Sequence, residues 1–207
     1  METKHITIPV ASVQLGADLC IPPNAFALVI MGRAHQGSRF CDSLLRSELQ
    51  GIGIATLNID LLLPDEGEQD RKQYNIELLT ERLIATTHWL QEQPLTSSLA
   101  LGYYGSGLEA ATALRSAAGL LHQIKAMVIC EGDLTQAMNV LHQINAPTLL
   151  IAKTQDQQQY QEALDRIEAE KQLRLWKEED HQEEPQRSAE IAAWALKWYV
   201  DHFQVVA

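Results

Sequence analysis

The stretch "ALGYYGSGLEAATAL", residues 100–114, runs from an apolar segment through Gly105, Ser106 and Gly107 into a segment with helical spacing. A strand that turns abruptly into a helix points to a parallel α/β sheet, because parallel strands need crossover connections. The turn also matters chemically, since such sheets gather their ligands at the C-terminal ends of the strands.

The flanking sequence repeats the same alternation. Upstream, "HITIPVAS" (5–12) reads as an edge-like strand, and "AFALVIMG" (25–32) is a continuous apolar run of the kind buried on both faces. "CDSLLRSELQG" (41–51) has helical spacing, with Gly51 where a left-handed cap is expected. "IGIATLNIDLLLP" (52–64) supplies the next core strand, and the acidic "PDEGEQDRKQ" (64–73) reads as a surface loop. In "YNIELLTERLIATTHWLQEQP" (74–94), Ile76, Leu79, Leu83, Trp89 and Leu90 fall largely on one helical face that closes before Pro94. Downstream, "AMVICEG" (126–132) and "APTLLIAK" (146–153) are further strands, separated from their neighbours by helical patterns at "LEAATALRSAAG" (108–119) and "LTQAMNVLHQI" (134–144). The Gln-rich segment 155–172 reads as the start of a solvated helix. "EEPQRSAEIAAWALKWYVDHF" (183–203) reads as a long C-terminal helix with Trp194 and Trp198 on one face. The expectation is an α/β fold: a mostly parallel sheet flanked by helices on both faces, in one domain over residues 1–207.

Composition narrows the function classes. With 16 Lys and Arg against 27 Asp and Glu, the formal charge is −11, which repels nucleic-acid phosphates and anionic membrane surfaces. No stretch has the length and apolarity of a membrane span, and the N-terminus lacks the pattern of a secretory signal, so a cytoplasmic location is expected. Cys20, Cys41 and Cys130 are widely spaced and read as free thiols. No nucleotide, flavin or metal fingerprint is present; His35, for example, has no second ligand at metal spacing. The expectation is no cofactor and no metal, with a small ester-like ligand, a protein partner or a homodimer left open.

The polar residues that follow each expected strand are Arg33 to Gln36, Asp60, Ser106 with Gly107, Cys130 with Glu131, Gln155 with Asp156, and Asp180 with His181. Ser106, Asp156 and His181 come in the order nucleophile, acid, base. A serine hydroxyl needs a base to take its proton, and the acid fixes the imidazole tautomer.

With "ITIPVASVQLGADLCIPPNA", "ATLNIDLLLPDE", "IELLTERLIATTHWL", "LGYYG", "INAPTLLIAKTQD" and "DHQEEP" in this order, the chain resembles the dienelactone hydrolase-like branch of the α/β-hydrolase fold superfamily. The resemblance implies an eight-stranded sheet, here trimmed, and hydrolysis of esters or lactones by a serine or cysteine nucleophile with a histidine base and an acid. Asp156, four residues beyond "TLLIA", matches the acid, and His181 matches the histidine. The elbow departs from the family pattern. With Gly105 at the first small position, Gly107 stands where the nucleophile is expected and Glu109 where a second small residue is expected. Taking Ser106 as nucleophile would put Tyr104 and Leu108 at those positions, which fits worse. In "GRAHQGSR" (32–39), Arg33 replaces the expected histidine of the oxyanion segment, while Gly37 leaves room for a backbone amide to face the pocket. The carboxylates of "EEDHQEEP" favour a charged His181, which makes it a poorer base at neutral pH.

Arg33, His35, Gly37, Cys130 and Glu131 form the expected ligand-binding set. Cys130 also reads as a buried small hydrophobe, and Arg33 and Glu131 either pair across the pocket mouth or stay solvated. Two functional readings follow. In the first, the chain is a hydrolase-derived ligand-binding or interaction module whose triad is degenerate because Gly107 occupies the nucleophile position. In the alternative, it is an active carboxylic ester hydrolase or lactonase that uses Ser106, His181 and Asp156.

Overall fold

The computed structural model describes residues 2–33, 40–64, 66, 75–177 and 184–203. Eight strands form one sheet: β1 (Lys4–Val10), β2 (Val13–Cys20), β3 (Ala27–Arg33), β4 (Ile54–Asp60), β5 (Ala100–Ser106), β6 (Ile124–Cys130), β7 (Thr148–Lys153) and β8 (Lys171–Trp176). Their spatial order is β1-β2-β4-β3-β5-β6-β7-β8. The β1–β2 and β2–β4 pairs are antiparallel, and every other pair is parallel. The α-helices among the described residues are α1 (Phe40–Gly51), α2 (Ile76–Glu92), α3 (Ala110–Gly119), α4 (Gln157–Arg166) and α5 (Glu184–Phe203).

The period of two along each strand divides the core into two layers. Val29, Met31, Tyr104, Val128 and Ile151 pack with Leu45 and Leu49 of α1 and with Ala195 and Tyr199 of α5. Leu28, Ile30, Tyr103, Ile129 and Leu150 face the other way, against Leu79, Leu83 and Leu90 of α2, Ala113 and Leu114 of α3, and Tyr160 of α4. Each large side chain fully buried in this way contributes roughly 1.5–3 kcal/mol. A polar pair completes the second layer: Thr87 and Tyr103 share a hydroxyl–hydroxyl bond of 2.5 Å. The helix α2 starts where the Asn75 side chain accepts from the Leu78 N–H at 3.1 Å, and it stops before Pro94.

Several local expectations are corrected. The sheet is not trimmed, because β2 and β8 complete the eight strands. β2 pairs with β1 through a tight turn at Ala11, whose φ is +49°. β8 lies inside and beyond the Gln-rich segment, which is helical only over α4. Residues 134–144 form two short 3₁₀ turns, Thr135–Ala137 and Leu141–Gln143, rather than one helix. Their apolar positions Leu134, Ala137, Leu141 and Ile144 are buried nonetheless. The left-handed glycine after α1 is Gly53, with φ +86°, and not Gly51.

Candidate functional site

β5 lies between β3 and β6 in the middle of the sheet, and its C-terminal end carries the elbow. Gly105 is there because α3 comes too close for any side chain: a Cβ at this position would lie 2.8 Å from the Ala113 Cβ and 3.1 Å from the Glu109 carbonyl oxygen. Ser106 is still strand, with φ −134° and ψ 142°, and Gly107 opens the 3₁₀ turn Gly107–Glu109 that leads into α3. Gly107 has φ +62°, so the left-handed step of the strand-to-helix turn falls on it and not on Ser106.

That one-residue offset sets the direction of the serine. As a strand residue, Ser106 shares a face with Tyr104, toward α1. The Tyr104 hydroxyl donates to Asp42 Oδ1 at 2.9 Å, and the Ser106 hydroxyl makes longer contacts with the same carboxylate at 3.3 and 3.4 Å. Asp42 sits in the first turn of α1, where the helix dipole favours a negative charge. Sequence reasoning missed Asp42, although alternation along "GYYGS" and the start of "CDSLLRSELQG" at the same sheet edge carry the signal.

The turn after β6 packs directly on the elbow. Glu131 has φ +60°, an uncommon conformation for a residue with a side chain, and Gly132 has φ +112°. A Cβ on Gly132 would overlap the Gly107 carbonyl oxygen and lie 2.9 Å from the Ala110 Cβ. The Glu131 N–H donates to the Ile151 carbonyl at 2.8 Å, and the Tyr160 hydroxyl donates to the Gly132 carbonyl at 3.2 Å. Elbow and turn are therefore fixed against each other.

Asp156 ends the 3₁₀ turn Thr154–Asp156 after β7, half-buried, two strands away from Ser106. It occupies the cap position of α4 without a side-chain capping bond, so capping does not account for its carboxylate. Cys130 is 3% exposed and belongs to the core layer beneath α1 and α5. Arg33 turns away from Glu131. Its guanidinium is 2.9 Å from Asp60 and 3.5 Å from Asp18, which in turn contacts His5 at 3.0 Å, so it leans across β4 toward β2. Of the two readings for Arg33, pairing with Glu131 or a solvated charge, neither holds: it pairs with Asp60 and Asp18. His35, Gly37 and His181, together with Ala34, Gln36, Asp180 and most of the 64–73 loop, lie outside the described residues.

Among the described residues, no group of three His, Cys, Asp or Glu side chains is placed to hold a metal ion. No helix among them is long and apolar enough to cross a membrane. A groove of about 480 Å³ floored by Trp194 and Trp198 lies between β8 and α5 and contains none of the strand-end residues above.

The eight-stranded, mostly parallel sheet with helices on both faces has a dienelactone hydrolase-like α/β-hydrolase fold. The chain is 29% identical to a dienelactone hydrolase from Anabaena variabilis, with a TM-score of 0.89 over 97% of this chain and 98% of that one. Est1E from Butyrivibrio proteoclasticus (12% identity, TM-score 0.76, 95% of this chain and 99% of that one) has the same fold. So does an alpha-beta serine hydrolase homologue from Coxiella burnetii (14% identity, TM-score 0.74, 95% and 97%). Among curated proteins, the chain is 32% identical over 208 aligned residues to a protein of Mycobacterium tuberculosis provisionally named a phosphoribosyl transferase, in two strains. The match covers 98% of this chain but 47% of the relative, so the chain spans about half the length of the curated relatives it matches. No protein-family model matches the chain.

Proposed function

We propose that this chain is a hydrolase-derived ligand-binding or interaction module in which Gly107 stands at the nucleophile position and triad catalysis is weak or lost. The observation that carries this reading is the left-handed turn at Gly107, with the neighbouring Ser106 hydroxyl directed to Asp42. A glycine offers no hydroxyl for a base to deprotonate, and a carboxylate partner fixes no imidazole on Ser106. Asp156 and His181 then stand as remnants of the triad, and the C-terminal ends of the strands take a small ester-like ligand without efficient turnover. The net charge of −11, which repels anionic membrane surfaces, fits a cytoplasmic protein.

The double-length relatives are compatible with a module. The match covers 47% of the relative, so a unit like this one stands there beside further chain, where it would serve to bind a ligand or a partner.

The test is labelling of the full chain with a fluorophosphonate ester, read by intact mass and peptide mapping beside a control serine hydrolase. The expected result is no adduct, with turnover of simple acyl esters no higher than in His181→Ala. An adduct on Ser106 that disappears in His181→Ala would overturn the reading in favour of an esterase or lactonase using Ser106, His181 and Asp156.

A further inference from the structure

We propose that this chain forms a two-fold dimer through the N-terminal ends of β4, β3, β5 and β6, at the end of the sheet opposite the elbow. Among the described residues, five large apolar side chains are exposed: Phe26, Ile52, Leu95, Leu108 and Leu121. Leu108 belongs to the elbow turn. The other four precede β3, β4, β5 and β6 respectively, and these strands are adjacent and parallel, so all four side chains stand at one end of the sheet. Single exposed apolar residues are ordinary, but a row of them at one end marks a contact surface.

The row is held in place by the backbone. The Phe26 N–H donates to the Gly53 carbonyl at 3.3 Å and the Ala100 N–H to the Phe26 carbonyl at 3.2 Å, which ties together the approaches to β3, β4 and β5. Leu95, 73% exposed, rides on a turn fixed to the end of α2: the Thr96 hydroxyl donates to the Leu90 carbonyl at 2.6 Å and the Ser97 N–H to the Gln93 carbonyl at 2.8 Å. Leu121 is 58% exposed at φ +49°, a left-handed conformation that a bulky side chain rarely adopts. Folding alone does not account for a leucine there, since glycine suits the backbone and asparagine suits the water.

Charge selects the occupant. The connections 21–26, 52–53, 93–99, 120–123 and 144–147, which lead into β3 to β7, contain no Asp, Glu, Lys or Arg, although 21% of the chain is charged. Charge returns at the margins, at Glu92, Lys125, Glu168 and Glu170. A basic partner would be met by carboxylates, which these connections lack. Two copies at −11 each repel, and a face without charge lets them meet with their acidic surfaces kept apart. In a two-fold contact the same patch serves both copies, apolar against apolar. Four strands about 4.8 Å apart make a row roughly 15 Å long, which the ends of α2 and α3 widen toward the roughly 800 Å² per partner of a stable dimer. The C-terminal strand ends then lie at the two outer poles, so ligand binding there and dimer formation are independent.

The experiment measures the mass of the full chain by size-exclusion chromatography with light scattering over about 1–100 μM, since mass action sets the dimer fraction. The expected mass at the upper end is twice that of the chain, and added salt strengthens the dimer by screening the −11 of each copy. Leu95→Asp and Leu121→Gly are expected to run as monomers throughout. Glycine suits φ +49°, so Leu121→Gly stays folded by circular dichroism. Leu108→Asp, at the other end of the sheet, is expected to stay dimeric. A wild-type chain that is monomeric at ~100 μM overturns the proposal. So does a dimer that persists in Leu95→Asp and Leu121→Gly, or one that salt dissociates. Fluorophosphonate labelling reports the triad separately and is expected to be the same in wild type and Leu121→Gly.

Discussion

The sharpest perturbation restores a hydroxyl at the turn, as Gly107→Ser. The structural cost follows from the backbone: at φ +62° a serine sits in the left-handed region, and the penalty for a residue with a side chain is about 1–2 kcal/mol. Glu131 already tolerates φ +60° one strand away. The catalytic gain is bounded above by the roughly 10⁶-fold that loss of a nucleophile costs a complete triad. This site should recover only part of that. Glu109 stands where the elbow wants a small residue. A rise in kcat/KM for p-nitrophenyl acetate of about 10²–10³-fold is expected, equivalent to about 3–4 kcal/mol of transition-state stabilisation. Urea unfolding should show the conformational cost, fluorophosphonate should add to residue 107, and His181→Ala in the same background should remove both labelling and turnover. A folded Gly107→Ser protein that neither labels nor gains activity would refute the assignment of Gly107 to the nucleophile position.

Three further changes test the frame around the site. Gly132→Ala should lose at least ~3 kcal/mol in urea unfolding, because the new methyl meets the Gly107 carbonyl and φ there is +112°. Thr87→Val should lose about 1–3 kcal/mol, since it leaves the fully buried Tyr103 hydroxyl without its partner. Arg82 forks onto Glu66 at 2.6 and 2.8 Å and also donates to the Leu61 carbonyl at 2.7 Å, so Glu66→Gln should cost about 1–2 kcal/mol after solvent screening. The Arg82 bond holds the Glu66 carboxyl below its ordinary value of 4.5. The unfolded chain therefore binds the extra proton first, and the stabilisation is full above that value and lost as pH falls through the native one. The difference between wild type and Glu66→Gln in urea midpoint should be wide at neutral pH and shrink on acidification below that value.

The sequence was most legible where burial is complete. β3 to β7 are apolar runs covered on both faces, and no other element tolerates such a run in so short a length. The edges carry less information. β8, "KQLRLW", mixes Lys171, Gln172 and Arg174 with its apolar residues because, among the described residues, no strand pairs with its outer side, and its polarity reads as loop or helix. β2 alternates weakly around Gly16 and is defined by its pairing with β1 and β4, which periodicity does not record. The 134–144 segment misled for a different reason. Apolar residues every three or four positions suit a 3₁₀ turn against α3 as well as an α-helix, and spacing alone does not separate the two.

At the site, residue types were legible and directions were not. "GYYGSG" contains the offset that matters, but only the strand end fixes its meaning. Ser106 keeps the extended backbone and therefore the Tyr104 face, and the left-handed step passes to Gly107. An elbow works because the residue at the strained step is lifted out of the sheet and aimed at the base. A residue one position earlier stays within the pleat and is aimed at whatever helix covers that face. Here that helix is α1, and what it offers is Asp42. Arg33 follows the same logic at the end of β3: the two carboxylates of β4 and β2 draw it toward the antiparallel edge. Moving the serine by a single position, with no other change, separates a lost nucleophile from a shifted one. Ser106→Gly combined with Gly107→Ser keeps the composition and places the hydroxyl at the left-handed step. With Gly107 at the nucleophile position, that double variant labels with fluorophosphonate while wild type does not. Labelling of wild type alone would mean that the pleat position is the reactive one.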